Sequence, residues 1–457
     1  MGAEDLGLVV IVGGGIAAVR AAERLAERGF TGRVDIVAAE PGPPYRRPLL
    51  TSVASGRLDA SQLQLSPRLP ARTRWRGGRR ATGLDPDARR VFLDDGRALP
   101  YDGLIIATGA VPRTLPGARR ANDRVHTLRT LDDAHRLARG LRDARRLLIV
   151  GGGTIGCEAA AALRNRGLPT TLVELGPALL GDVVGPRMGE AFTVWHRRHR
   201  VDVRCSVGVA TWDQHRAGVR AELTDGAVVE ADVALVAVGA WPDVGWLADS
   251  GFDLGDGVLC GPTTHVVGAE DVVAAGDCAR WPNLRFDESP RRVGHSANAT
   301  AMGRHAADAL LDGVEATAPF TPIPWGFTEQ FGACTQLVGR PSAGVSFVDV
   351  EGRPSVMRGA VAAFDGRGRF VGGTIAGARP AARWVHDAVA ASCPAPPSMP
   401  RVSWDPEPHL RPRPSAARVD DRVQQAHRVE QMPAWPGPPR RAEDRSAGGE
   451  QPRGALH

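Results

Sequence analysis

At 457 residues the chain is too long for one ordinary domain, and two or three domains are expected. The formal net charge is +6, yet the sequence has neither zinc-ligand spacing nor a base-stacking signature, so nucleic acid is not indicated and an acidic protein partner fits the charge better. All 57 basic side chains are arginine, which excludes lysine Schiff-base chemistry anywhere in the protein.

The first apolar run, Leu8-Val9-Val10-Ile11-Val12, reads as a buried strand. Glu4 and Asp5 precede it where a secretory signal would carry positive charge, and no apolar stretch is long enough to span a bilayer. A glycine turn follows, Gly13-Gly14-Gly15-Ile16-Ala17-Ala18, opening an alanine-rich helix over about Ile16–Arg28 that Gly29 stops. The next strand ends on Glu40. In this pattern Gly13 permits the tight turn, Gly15 lets the backbone approach a pyrophosphate, and a small third residue, Ala18, lets helix pack on strand. The phosphates would sit at the positive helix N-terminus, and Glu40 would bind the adenosine ribose hydroxyls.

Residues 90–99 read as a hairpin turning at Asp95-Gly96, followed by a buried strand ending in Ala107-Thr108-Gly109. The plan then repeats. Leu147-Leu148-Ile149-Val150 leads into Gly151-Gly152-Gly153-Thr154-Ile155-Gly156, and an acid, Glu174, ends the second strand 21 residues after Gly153. A second hairpin turns at Asp225-Gly226, and a second strand ends in Val238-Gly239. Two such units imply two dinucleotides on one chain, and therefore electron transfer between them. An acid at Glu174, with Leu175-Gly176 supplying no arginine, favours NADH over NADPH.

A third strand–glycine–acid segment, Val272-Val273-Ala274-Ala275-Gly276-Asp277, follows the second unit. Residues 320–392 alternate short strands with glycine turns, as in an α+β domain. From about Pro396 periodicity is lost. The last 62 residues hold 12 of the 36 prolines, which reads as a disordered tail. Six cysteines at 157, 205, 260, 278, 334 and 393 form no Cys-x-x-Cys, arguing against a disulfide framework, a metal site or a redox dithiol, and for a reducing cytoplasm.

The segments 13–40, 44–51, 107–109, 128–134, 151–174 and 274–277 together resemble FAD-dependent flavoproteins of the pyridine nucleotide-disulfide oxidoreductase fold. Within them the chain is most similar to the ferredoxin, putidaredoxin and rubredoxin reductases, over about residues 6–392. The resemblance implies an α/β fold with two Rossmann-like domains, one for FAD and one for NADH, a C-terminal α+β domain and the tail. The corresponding boundaries are 1–114 and 242–319 for the two parts of the FAD domain, 115–241 for the NAD domain, 320–395 and 396–457. It further implies that Arg47 and Arg129 contact FAD phosphate or adenylate groups and that Asp277 bonds the ribityl chain. Ala17, Ser52, Thr108, Gly109, Ile155, Gly239, Gly276 and Ser296 fall at cofactor-binding positions. Glu158 reads either as an early-helix acid complementing the dipole or, by the resemblance, as a group near nicotinamide and flavin.

Three departures from the family pattern lie near the flavin. Ser52 stands where similar reductases have lysine, Gly294-His295-Ser296 replaces a Glu-x-Trp, and Trp325-Gly326-Phe327-Thr328-Glu329-Gln330-Phe331 replaces a Trp-Ser-Asp-Gln-Tyr type segment. No cysteine precedes Cys157, which excludes the early-cysteine disulfide reductases and coenzyme A disulfide reductases of this fold, and Cys157 itself reads as a packing residue. Electrons are expected to pass from NADH through FAD to a small acidic iron–sulfur protein, a ferredoxin serving a cytochrome P450 or a dioxygenase. A quinone or dye reductase, an NADH oxidase, and a redox-sensing protein resembling apoptosis-inducing factor remain as alternatives. The arginine-rich stretch Arg68–Arg80 is a candidate docking surface or simply a solvated face.

Overall fold

Each apolar run that precedes a glycine turn becomes the middle strand of a parallel sheet. In the computed structural model, which describes residues 6–118, 124–215, 218–354, 357–377 and 379–393, there are two such five-stranded sheets. The first runs β19 (Val272–Ala274), β7 (Gly103–Ile106), β1 (Leu8–Val12), β2 (Arg33–Ala38), β3 (Thr73–Gly77). The second runs β12 (Asp202–Arg204), β11 (Thr170–Val173), β10 (Leu147–Val150), β16 (Val233–Val236), β9 (Val125–His126). All neighbours in both are parallel, so β1 and β10 are covered on both faces and read as unbroken hydrophobic runs rather than alternating ones.

The two glycine turns have one cause. Gly13 lies at φ +138°, and a Cβ there would sit 2.0 Å from the Ala107 carbonyl oxygen; Gly151 lies at φ +108°, and its Cβ would sit 2.4 Å from the Ala237 oxygen. The helices that follow are α1 (Ile16–Glu27) and α4 (Thr154–Arg164). The strands after them stop slightly earlier than the sequence suggests: β2 ends at Ala38, so Glu40 lies in the following turn, and β11 ends at Val173, immediately before Glu174.

Both expected hairpins form. β4 (Ala81–Asp85), β5 (Arg90–Leu93) and β6 (Ala98–Pro100) make one antiparallel sheet, and β13 (Val209–His215), β14 (Gly218–Leu223) and β15 (Val228–Ala231) the other. The chain crosses between the two halves on β8 (Ala110–Pro112) and returns on β17 (Ala240–Pro242), and these strands pair antiparallel into a ribbon that begins at Gly109 and Gly239. A small sheet of β18 (Val258–Leu259), β20 (Ala279–Pro282) and β21 (Pro290–Arg291) follows.

α7 (Ser296–Ala316) lies on α1 so closely that a Cβ on Gly303 would meet the Ala17 carbonyl oxygen at 2.3 Å. Arg24 of α1 and Arg28, which follows its last residue, pair with Asp308, and Arg304 pairs with Glu27. α2 (Leu50–Ala54) packs against both α3 (Leu131–Gly140) and α4. The second half is completed by α5 (Gly181–Val184) and α6 (Pro186–Arg198).

The C-terminal α+β unit is a five-stranded antiparallel sheet, ordered β22 (Trp325–Gln330), β23 (Ala333–Gly339), β26 (Phe370–Ala376), β25 (Arg358–Phe364), β24 (Ser346–Arg353), with α8 (Arg379–Ser392) on one face. That face has its own core, including Val338, Ala362, Ile375 and Val389. The opposite face sends Leu337, Val361 and Ala376 into the core that also holds Leu50 of α2 and Ala160 of α4. The unit is therefore docked by a shared core, and it brings β22 against α4. The expected disordered tail, residues 396–457, lies outside the described residues. No helix among the described residues is long and apolar enough to cross a membrane.

Candidate functional site

Two helix N-termini stand open. α1 is preceded by Gly15 (φ −86°, ψ −174°) and α4 by Gly153 (φ −74°, ψ −173°); neither has a side-chain cap and neither has an acid in its first turn. The first-turn N–H groups are thus left for an external acceptor, and the helix dipole favours an anionic one. A Cβ added at Gly15 or Gly153 would meet no protein atom within 4 Å, so the space over each turn is open. At the third fingerprint position the two units differ. Gly156 packs so tightly that a Cβ would lie 1.9 Å from the Gly151 oxygen, whereas the first unit accommodates buried Ala18. Both cradles fit a dinucleotide pyrophosphate.

Beside the first cradle, four residues singled out in the sequence join one polar network. Glu40 accepts from Arg47 Nη2 at 2.8 Å and from the Tyr45 hydroxyl at 2.7 Å. Arg47 Nη1 donates to the Arg129 carbonyl oxygen at 2.7 Å, and Arg129 Nη2 donates to Asp277 Oδ2 at 2.8 Å. Arg129 is fixed by its place ahead of α3, where Thr130 and Asp133 form a capping box, and by donation from its Nε to the Ala110 oxygen. Asp277 is not a helix cap: its carboxylate takes Arg129, and the short 3-10 turn it sits in is preceded by Ala275. Gly276, at φ +80°, brings this turn against α1, where a Cβ would lie 3.1 Å from Ala17 Cβ. Thr108 Oγ1 donates to the Asp243 oxygen at 2.6 Å, and the Gly109 oxygen accepts from Asp243 N, tying the ribbon to the first half.

At the second cradle Glu174 bends over the glycine turn. Its Oε2 accepts from Gly152 N at 2.5 Å and its Oε1 from Gly176 N at 2.6 Å. Ile155 and Leu175 beside it are exposed. Gly239, at φ +101°, faces Arg113, whose guanidinium lies 3.7 Å from the Trp241 ring centroid.

Glu158 lies on α4 just past Gly156 and faces the C-terminal sheet. Its Oε1 accepts from Thr328 Oγ1 of β22 at 2.7 Å, and Thr328 in turn accepts from Gln330 Nε2 at 3.0 Å. A fraction of Glu158 still touches solvent, but its carboxyl is enclosed. Burial pushes it up from 4.5 to about 7, against the opposing pull of the Thr328 hydrogen bond and the Arg57 charge. Ser52 is buried in α2, and its Oγ accepts from Arg57 Nη2 at 3.0 Å. Ser296 is the first residue of α7, and the preceding His295 places its ring where a Cβ on Gly326 would stand, 1.8 Å from Cε1. That explains a glycine in β22, and burial pushes His295 towards its neutral form.

None of the six cysteines is in a disulfide. Cys157 is fully buried, burial raises its thiol well above the ordinary value, and its Sγ donates to the Gly152 oxygen, so it packs rather than reacts. In the arginine-rich stretch, Arg76 pairs with buried Asp35 and Arg79 with Asp95, so two of its six charges are already engaged. No group of His, Cys, Asp and Glu suited to hold a metal ion occurs among the described residues.

Sequence reasoning did not single out Tyr45, Thr328 or Arg57. Tyr45 was readable only as part of the 44–51 segment. Thr328 was readable only as part of the 325–331 segment, and docking of β22 on α4 brings it to Glu158; Arg57 carries no local signal and reaches Ser52 through the turn at Gly56.

Residues 8–303 match the pyridine nucleotide-disulphide oxidoreductase family, and the chain belongs to it. Among characterised relatives, it is 37% identical to the ferredoxin reductase component of a chlorobenzene dioxygenase from Cupriavidus sp. (strain PS12), over 72% of this chain and 80% of that one. It is 31% identical to putidaredoxin reductase of Pseudomonas putida, again over 72% and 80%. Among solved structures, the covalent putidaredoxin reductase–putidaredoxin complex superposes with a TM-score of 0.77 at 27% identity, covering 84% of this chain and 93% of that one.

Proposed function

We propose that the chain is an NADH-dependent flavoprotein reductase that passes electrons through FAD to a small iron–sulfur protein of a dioxygenase or P450 system. What supports the reading most is a single arrangement: two open glycine cradles, each with an acid past its second strand, on one chain whose cysteines are scattered and outside any disulfide. The named relatives are reductase components with ferredoxin partners, which supplies the acceptor.

In this reading residues 1–114 and 242–319 hold FAD, residues 115–241 hold NADH, and residues 320–395 cover the junction. Gly13, Gly15, Ala17 and Ala18 shape the first cradle, and Gly151, Gly153, Ile155 and Gly156 the second. Glu40 takes the adenosine ribose of FAD. Arg47 and Arg129 serve its phosphate or adenylate groups, a task suited to a planar cation. Asp277 and Gly276 meet the ribityl chain, with Thr108, Gly109, Ser52 and Ser296 along the flavin side and Gly239 on the nicotinamide side. Glu174 accepts from a ribose 2′-hydroxyl and repels a 2′-phosphate. FAD, when bound, supplies hydride acceptance and single-electron release. Glu158 meets the nicotinamide and flavin rings, and cysteines outside any disulfide suit a reducing cytoplasm.

Anaerobic NADH titration tests this. The flavin absorbance should bleach with NADH, and cytochrome c should then be reduced only when a ferredoxin from a panel is added. Bleaching followed by turnover with oxygen, a quinone or a dye, and with no ferredoxin, would replace the acceptor. Absence of bleaching would overturn the enzymatic reading altogether.

A further inference from the structure

We propose that the inner face of the C-terminal sheet carries a proton path to Glu158: Thr328, Thr335 and Gln330 hold a buried water through which the Glu158 proton exchanges with solvent at the turn of Phe331 and Gly332. The proposal rests on the reading above in one respect, that bound FAD and nucleotide cover the part of Glu158 that still touches solvent.

Strand register puts these side chains on one face. Thr328 of β22 lies opposite Thr335 of β23, Thr335 lies opposite Ala376 of β26, and Gln330 lies opposite Ala333. Residues directly opposite each other share a face, as do residues two apart on a strand. Ala376 belongs to the core shared with α2 and α4, so this face looks towards α4. Thr374 joins it from β26, opposite Leu337 of the same core. Thr335 and Thr374 are 0% exposed, Gln330 1% and Thr328 2%. A polar diagonal thus crosses a face otherwise built of Leu337, Val361 and Ala376.

The hydrogen bonding along that diagonal is incomplete. Thr328 Oγ1 donates to Glu158 Oε1 at 2.7 Å and accepts from Gln330 Nε2 at 3.0 Å. Gln330 Oε1, Thr335 Oγ1 and Thr374 Oγ1 have no hydrogen-bond partner among the described residues. An unpaired buried polar atom is destabilising, and valine would fill the place of threonine without that cost. The hydroxyls therefore point to a bound partner. A buried water needs several polar groups around it, and the Thr328 and Thr335 hydroxyls and the Gln330 oxygen stand on adjacent positions. The small Ala333 and Ala376 opposite Gln330 and Thr335 leave room for it.

The donor count at Thr328 gives the path its direction. A threonine hydroxyl donates once and accepts twice. With Glu158 ionised, the Thr328 proton points to Oε1 and Gln330 fills one acceptor position. With Glu158 protonated, its carboxyl donates to the second position and Thr328 must donate elsewhere, to the water. For release, the Glu158 proton passes to Thr328 Oγ1, the Thr328 proton passes to the water, and the water gives a proton to solvent. Glu158 is left as the carboxylate and no charge stays on a hydroxyl. Gln330 is the last paired residue of β22, and the turn beyond it reaches the surface at exposed Gly332. Thr328, Thr335 and Gln330 are thus positioning residues acting through Glu158.

The test uses the oxidised holoprotein with excess NAD+ at pH 5, where the Glu158 carboxyl carries its proton. Its infrared stretch, assigned by its loss in Glu158→Gln, is followed after mixing into deuterium oxide. In the wild type the deuterium shift should be complete within the mixing time. In Thr335→Val it should slow at least about tenfold, because exchange then waits for local opening. Thr335→Ser should restore it, and Thr374→Val, which lies off the route to the turn, should leave it fast. Thermal unfolding adds a sign: Thr335→Val lowers the midpoint if it strips a partner from a bound water, and raises it if the hydroxyl is unpaired and dry. Unchanged exchange in Thr335→Val, equal slowing in Thr374→Val or a raised midpoint would overturn the proposal. If the reductase reading failed, NADH would not bleach the flavin while the exchange pattern held; if the path failed, bleaching would persist with exchange equally fast in Thr335→Val.

Discussion

Replacing Glu158 with glutamine should stabilise the protein at alkaline pH and leave it unchanged in acid. Burial lifts this carboxyl from 4.5 to about 7, so at neutral pH the folded protein retains a proton that the unfolded chain has released. Stability is therefore lost as pH rises from about 4.5 to about 7 and is flat on either side. At about 1.4 kcal/mol per pH unit the full cost is about 3 kcal/mol, and because Glu158 keeps some contact with solvent the expected figure is about 2 kcal/mol. Glutamine keeps an oxygen to accept from Thr328 Oγ1, so the hydrogen bond survives while the titration does not. Guanidinium chloride unfolding of both proteins with excess FAD, at pH 5 and pH 8, measures the difference directly. The advantage of Glu158→Gln should be small at pH 5 and larger by about 2 kcal/mol at pH 8. An equal stability difference at the two pH values would refute the placement of this carboxyl in an enclosed, weakly compensated site.

Gly156→Ala drives a methyl to within 1.9 Å of the Gly151 oxygen and must displace the second cradle; the variant should keep the visible absorbance of bound flavin while its KM for NADH rises at least about tenfold. Glu174→Ala removes both the bond to Gly152 N and the charge that excludes a 2′-phosphate, so the NADPH-to-NADH ratio of kcat/KM should rise by about tenfold, checked by steady-state kinetics with each nucleotide.

The cradles were legible because their causes are local. Gly13 and Gly151 must adopt positive φ against a strand-end carbonyl, and that demand shows as glycine whatever surrounds it. The hairpins at Asp95-Gly96 and Asp225-Gly226 were legible for the same reason. Arg47, Arg129 and Asp277 lie far apart in sequence, and nothing in their spacing reveals that Arg47 reaches the Arg129 carbonyl or that Arg129 reaches Asp277. They were found through motifs, not geometry. The surroundings of Glu158 were illegible because they depend on tertiary docking. Ser52 shows in the sequence only as a missing lysine, while Arg57, which donates to its hydroxyl, stands five residues later beyond the turn at Gly56. The exact strand ends were misplaced at Glu40 because a buried strand and the turn after it share apolar residues up to Ala39.

The ribbon of β8 and β17 makes the second half of the molecule an inserted cassette with one doorway. Its incoming and outgoing strands run side by side, about 5 Å apart, and bond to each other rather than to distant parts of the first half. The first half therefore needs only two adjacent ends to be rejoined, and the length of the insert costs its own closure little once the insert has folded. A nucleotide-binding unit of different preference, grafted between Pro112 and Ala240 with the ribbon retained, would inherit the same entry point and the same approach to the first cradle.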